Sequence, residues 1–253
     1  MMRTIDINCD MGESFGQYSL GNDEEVIRYV SSVNIACGFH AGDPTTMDRT
    51  VKLADKHHVR IGAHPGLPDL QGFGRRNIAI LPVEAYQLTL YQVGALKAFT
   101  QANGAKLSHV KPHGALYNMA AKDKQLATAI AEAVYQLDPT LTLIGLSNSA
   151  LTNAGEALGL TVAHEVFADR TYQSDGTLTP RHHPNAVIND EMQAIEQVKQ
   201  MVLDQRVTST TGKVIPIQAD TVCVHGDNPH TLSFLKKLQD CLQQSGISLT
   251  SNK

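Results

Sequence analysis

The chain of 253 residues carries eleven histidines, and several stand at matching places. His40, His64, His113 and His225 each sit at or just past the end of a short β-branched run, and Asp10 closes another. Imidazole and carboxylate groups placed this way suit two kinds of chemistry. They take and give protons near neutral pH. They also hold divalent ions such as Zn, Ni, Mn or Fe, for which Asp10, His40 and His64 are the best candidates. Spacing alone leaves both open. Four arginines in the intervening loops, Arg75, Arg76, Arg170 and Arg181, can grip a carboxylate or phosphate through two parallel hydrogen bonds. Lys111, two residues before His113, adds a cation.

These side chains need elements to position them. Strand-like runs fall at 3–9, 32–39, 59–64, 107–113, 141–147, 161–167 and 220–225. Amphipathic segments lie between them. Asp43-Pro44 is an N-cap followed by proline at the first helical position, and it predicts a helix to about residue 56. Further helices are expected at 81–103, 123–137, 148–158, 189–205 and 229–245, with Gly104, Gly159 and Gly246 at their ends. Strands alternating with helices mean βαβ units and a parallel sheet. About seven units in this length suit a (β/α) barrel, and no GxGxxG follows the first strand. No linker or low-complexity run interrupts the pattern, so residues 1–253 are expected to form one domain.

Strand parity sharpens the picture, because alternate side chains share a face. In the first run Asp6, Asn8 and Asp10 share one face, and Ile5, Ile7 and Cys9 the other. Asn34 and His40 align in the second run, Arg60, Gly62 and His64 in the third, and His109, Lys111 and His113 in the fourth. Cys223, His225 and Asp227 align in the last. The apolar face belongs under the helices and the polar face inside the barrel. Ordinary barrel interiors are filled by Val, Ile and Leu, and active sites lie at the C-terminal rim. A polar interior costs free energy unless its groups are hydrogen-bonded or wet. The pattern therefore points to function at that rim. The loops leaving it are rich in glycine, and the stretch from Asp169 to Arg181 is expected to be a lid without secondary structure.

Composition excludes several classes. Hydrophobic residues make up 42% and charged residues 18%, which is not the profile of a disordered chain. A net charge of -4 gives no field for a nucleic-acid or anionic-membrane partner. No apolar run reaches the length of a membrane span, and the N-terminus lacks the apolar stretch of a secretory signal. The four cysteines have no CxxC spacing, so a cytoplasmic protein with reduced thiols is expected. There is no Walker A, no GxSxG elbow and no HExxH helix.

Five ordered blocks carry a resemblance. They are Asn8-Cys9-Asp10-Met11-Gly12-Glu13, the run from Asn34 to Pro44, Gly72-Phe73-Gly74-Arg75-Arg76, the run from Lys111 to Asn118, and Glu165-Val166-Phe167-Ala168-Asp169-Arg170. Together they resemble the LamB/YcsF family of lactam-utilisation proteins. The resemblance implies a deformed seven-stranded (β/α) barrel akin to the glycoside hydrolase/deacetylase group. It implies ATP-dependent opening of 5-oxo-L-proline to L-glutamate, in a 5-oxoprolinase complex with subunits B and C and with ATP as cosubstrate. On this reading Asp10, His64, Lys111, His113 and His225 are the candidate catalytic residues. Asn8, Glu13, Arg75, Arg76, Glu165, Asp169 and Arg170 are the candidates for substrate binding. Two other readings compete: a stand-alone metal-dependent deacetylase or carbohydrate hydrolase, and a non-catalytic substrate-binding subunit.

Overall fold

The structure is a computed structural model that describes residues 3–224 and 231–250. All seven expected runs form strands: β1 (Arg3–Met11), β2 (Ser32–Ala36), β3 (Arg60–His64), β4 (Leu107–Val110), β5 (Thr142–Leu146), β6 (Thr161–Phe167) and, near the end, β9 (Thr221–Val224). They pair in parallel in the order β1-β2-β3-β4-β5-β6-β9, and β9 pairs back onto β1. The sheet is thus a closed seven-stranded barrel. Three short strands lie outside the expectation. β7 (Arg206–Thr208) and β8 (Val214–Pro216) form an antiparallel hairpin, and β10 (Ile247–Leu249) adds to the outer half of β1.

Around the barrel run α1 (Asp23–Val26), α2 (Pro44–Lys56), α3 (Pro82–Ala102), α4 (Gly114–Ala120), α5 (Lys124–Leu137), α6 (Ala150–Ala157), α7 (Glu191–Asp204) and α8 (Thr231–Gln244). Local chemistry sets their starts. Asp43 accepts from Thr46 N at 2.8 Å ahead of Pro44, and Asp123 caps α5 through Gln125 N and Leu126 N. The sequence predicts a loop after Lys111, but α4 begins there. Pro112 and Gly114 look like turn residues, yet Gly114 has φ +53 and lies so close to Gly74 O that a Cβ would sit 2.6 Å from it. That contact seats α4 against the β3–α3 loop. No helix among the described residues is long and apolar enough to cross a membrane.

Parity holds in the fold. Ile5, Ile7, Cys9, Val33, Ile35, Ile61 and Val222 are buried in the apolar layer beneath the helices. Each such aliphatic side chain contributes about 1.5–3 kcal/mol by leaving water. The barrel interior instead holds Asp6, Asn8, Asn34, His109, Lys111, Glu165 and Thr221, all buried. Gly62 makes room for this filling, since a Cβ there would lie 2.0 Å from His109 Nε2.

The stretch expected as an irregular lid is a folded cover. Tyr172 bridges to Leu178 and Arg170 to Val187. The Arg170 guanidinium donates to Thr179 O and Ala186 O, and the buried Tyr172 hydroxyl accepts from Phe167 N at 2.8 Å.

Candidate active site

A continuous hydrogen-bonded column rises through the barrel. At its base Asp6 accepts from Ser32 Oγ, from Arg60 Nη2 at 2.6 Å and from Thr221 Oγ1 at 2.5 Å. Asn8 Nδ2 donates to Thr221 Oγ1 and to Glu165 Oε1. Asn34 Nδ2 donates to Asn8 Oδ1 and to Asp10 Oδ1, both at 2.8 Å, and His109 Nε2 donates to Asn34 Oδ1. Burial, with Arg60 and Lys111 adding to it, pushes the His109 imidazole down to about 3.

Lys111 is the centre of the column. Its ammonium lies 2.8 Å from Glu165 Oε1, 3.0 Å from Asp10 Oδ1, 3.1 Å from Asn8 Oδ1 and 3.2 Å from Cys223 Sγ. Burial works against its charge. Asp10, Cys223 and Glu165 around it outweigh that and hold the ammonium well above its ordinary range. One cation is therefore wedged between two carboxylates in a water-poor place, where electrostatic interactions are strong. Beside it the buried Glu165 Oε2 and Tyr117 hydroxyl have no partner beyond the Tyr117–Glu165 contact itself. Burial first, and Glu165 next, push that hydroxyl well above the usual tyrosine range.

Above Lys111 three histidines meet. His64 Nδ1 donates to Lys111 O at 2.7 Å, and His113 Nε2 donates to Phe73 O at 2.8 Å. Their other nitrogens, His64 Nε2 and His113 Nδ1, face each other at 2.9 Å. His40 stacks on His113 with ring centroids 3.7 Å apart. Burial, reinforced by the neighbouring rings, keeps His40 and His113 well below the ordinary imidazole range, so both are neutral at pH 7. Glu13 Oε1 lies 3.7 Å from His40 Nε2 and 4.0 Å from His113 Nδ1. Glu13, His40, His64 and His113 make a group able to hold a metal ion, with one ligand atom from each within 4.8 Å of the others.

These groups open into a cavity of about 620 Å³ at the C-terminal mouth. Asp10, Glu13, His64, Arg75, Lys111 and His113 line it on one side, and Leu178 to Arg181 of the cover on the other. The structure thus brings together Asp10, Glu13, His40, His64, Lys111 and His113, with Asn8 and Glu165 directly beneath. Asp10 Oδ2 lies 3.2 Å from His64 Nε2 while Oδ1 is bonded to Lys111, and Asp10 thus joins the Lys111 column to the histidine group.

The arginines divide. Arg75 lines the cavity, its guanidinium 4.9 Å from the Phe73 ring centroid. Arg76 turns away and pairs with Asp69. Arg170 touches the cavity, but its donors serve the backbone of the cover, and burial with Arg181 nearby brings it down to about 10. Asp169 is half-buried and outside the cavity lining. His225 lies outside the described residues. Sequence reasoning missed Tyr117. Its place four residues after His113, the extended N-cap of α4, sets it one turn into that helix behind a candidate histidine, the signal that would have found it.

Comparisons with known proteins agree with this architecture. The sequence profile of the LamB/YcsF family matches residues 5–253. The chain is 58% identical over 250 residues to the A subunit of 5-oxoprolinase from Brevibacillus brevis, covering 99% of this chain and 98% of that one. It is 57% identical over 250 residues to the A subunit of 5-oxoprolinase from Bacillus subtilis, covering 99% and 97%. The crystal structure of the lactam utilization protein from Thermus thermophilus superposes with a TM-score of 0.91 at 43% identity, covering 97% of this chain and 98% of that one.

Proposed function

The chain belongs to the LamB/YcsF family, and from that premise we propose that it is the A subunit of a three-subunit 5-oxoprolinase. The reaction is ATP-dependent hydrolysis of 5-oxo-L-proline to L-glutamate, in a cytoplasmic complex with subunits B and C. The observation that carries this reading is the buried Asp10–Lys111–Glu165 constellation at the floor of a covered mouth.

The chemistry needs such a floor. A five-membered lactam is a stable amide, and its carbonyl must be made a better electrophile. In this reading the γ-phosphoryl group of ATP passes to the lactam oxygen, leaving ADP. Asp10 takes a proton from the water that attacks the activated carbon. Lys111 stabilises the negative charge that gathers on the phosphorylated oxygen. The ring C–N bond breaks as Asp10 returns that proton to the leaving nitrogen, which gives an acyl phosphate, and a second water cleaves this to L-glutamate and phosphate. His64 and His113, whose N–H groups serve backbone carbonyls, shape the mouth beside it. Arg75 grips the substrate carboxylate at the cavity wall. Asn8 and Glu165 act from beneath, fixing Lys111 and Asp10 rather than touching substrate. Arg76 and Arg170 hold the loops that shape the mouth. Any divalent ion in the mouth would be held at the Glu13 and histidine group, and it would supply positive charge there.

The deciding experiment measures 5-oxo-L-proline-dependent ATP cleavage and glutamate release by the purified three-subunit complex, with each component omitted in turn. Loss of glutamate formation when this chain is left out supports the reading. Glutamate formation by B and C alone rejects it.

A further inference from the structure

The hydrogen bonds of the histidines turn their remaining ring nitrogens toward one another and toward Glu13. A carbonyl only accepts, so His64 Nδ1 and His113 Nε2, each bonded to a backbone carbonyl, must both carry hydrogen. The remaining nitrogens, His64 Nε2 and His113 Nδ1, face each other at 2.9 Å, with Asp10 Oδ2 3.2 Å from the first and Glu13 Oε1 4.0 Å from the second, so one cation placed there meets both rings. A proton would satisfy this pair alone. It would leave both ring nitrogens of His40, buried and without a partner, as they are. An ion seated against Glu13 engages all three rings, taking one nitrogen of His40 as well.

The geometry points to a resident first-row transition ion of the Zn²⁺ class, held by His40, His64, His113 and Glu13, and bound without nucleotide. Ligand atoms around a tetrahedral zinc lie about 3.4 Å apart, given bonds near ~2.1 Å. Separations of 2.9, 3.7 and 4.0 Å lie on both sides of that value, and all four ligand atoms fall within 4.8 Å of one another, so closing the site takes side-chain movements of about 1 Å. The backbone carbonyls on His64 and His113 are the outer partners that fix the tautomer and aim of metal-bound imidazoles. Three imidazoles and one carboxylate favour Zn²⁺ and its neighbours over Mg²⁺, which prefers oxygen ligands and keeps its waters. The site is therefore separate in kind from any Mg²⁺ that arrives with ATP. Asp10 gives Oδ1 to Lys111, and its Oδ2, 3.2 Å from His64 Nε2, borders the site rather than completing it.

The inference deepens the proposed site but does not rest on lactam turnover, and its test reads metal rather than activity. The purified full chain, stripped with chelator and titrated with Zn²⁺, is expected to take up one equivalent with a Kd below about 1 μM. Mg²⁺ at millimolar concentration should not compete. The Co²⁺-loaded protein should show the intense visible absorption of a four-coordinate site. His40→Asn and Glu13→Gln should each weaken Zn²⁺ binding by at least about tenfold, and Asp10→Asn by less than that. Two variants are used so that misfolding of one leaves the other to decide. Failure of the stripped protein to bind Zn²⁺ overturns the inference. So does Mg²⁺ binding of equal strength, or binding lost in Asp10→Asn and kept in the other two. If the reconstituted complex makes no glutamate while one Zn²⁺ still binds, the lactam reading falls and the metal centre stands.

Discussion

The two ends of the barrel interior are both polar, but they are satisfied to different degrees. At the base Asp6 receives three sets of donors, and among the described residues Arg60 Nε is the one buried side-chain atom left without a hydrogen-bond partner. At the mouth both nitrogens of His40 lack one, and Glu165 Oε2 and the Tyr117 hydroxyl have none beyond the contact between those two residues. A buried polar atom without a partner costs about 1–3 kcal/mol. The base reads as a structural plug. The mouth keeps unused hydrogen-bonding capacity next to a cavity, as a site that binds something must.

The largest effect in this contrast is expected for Lys111→Met. It leaves Asp10 and Glu165 facing each other in a buried place without their cation, at a cost of about 3–5 kcal/mol in stability. Denaturant unfolding measures it, and glutamate formation should disappear. Unfolding within about 1 kcal/mol of wild type would show that the mouth charges are not coupled as described.

Arg75→Ala removes the proposed carboxylate grip and should raise KM for 5-oxo-L-proline about 10–100-fold, with a smaller change in kcat. Arg76→Ala should change KM by less than about fivefold, because Arg76 is turned onto Asp69. Equal effects of the two would erase the division between a substrate-facing and a loop-holding arginine.

The base is probed by pH. His109 is neutral in the fold, with its imidazole at about 3, and titrates near ~6.5 when unfolded. Its contribution to stability is complete above the unfolded value and is lost as pH falls toward the folded one. Between pH 7 and pH 5 the loss is about 2 kcal/mol. His109→Gln should therefore lose about 2 kcal/mol less than wild type over that interval, read from unfolding at the two pH values. An unchanged acid limb would mean that His109 is not the buried neutral ring seen here.

Much of this was legible in the sequence. Alternation in Thr4-Ile5-Asp6-Ile7-Asn8-Cys9-Asp10 is enough to assign faces, and β1 places them so. The barrel follows from seven such runs. What parity cannot read is the chain beyond the strand. Gly12, at φ +69, turns the backbone just past β1, and Glu13 then joins the histidine group while Asp10 goes to Lys111. The β3–α3 loop is a similar case. Arg75 and Arg76 are adjacent and alike in sequence, and only the seat of the loop sends one to the cavity and the other to Asp69. Arg170 reads as a ligand-binding residue but gives its donors to the cover, because its partners are backbone carbonyls that carry no sequence signature.

The most direct test sets one carboxylate against the other. Glutamate formation is measured in the assembled three-subunit complex carrying Asp10→Asn or Asp6→Asn. The account predicts that Asp10→Asn lowers kcat about 10³-fold, while Asp6→Asn leaves kcat of the folded complex within about threefold of wild type. Comparable losses in the two variants, or near-normal turnover by Asp10→Asn, would contradict a reactive mouth standing on a structural base.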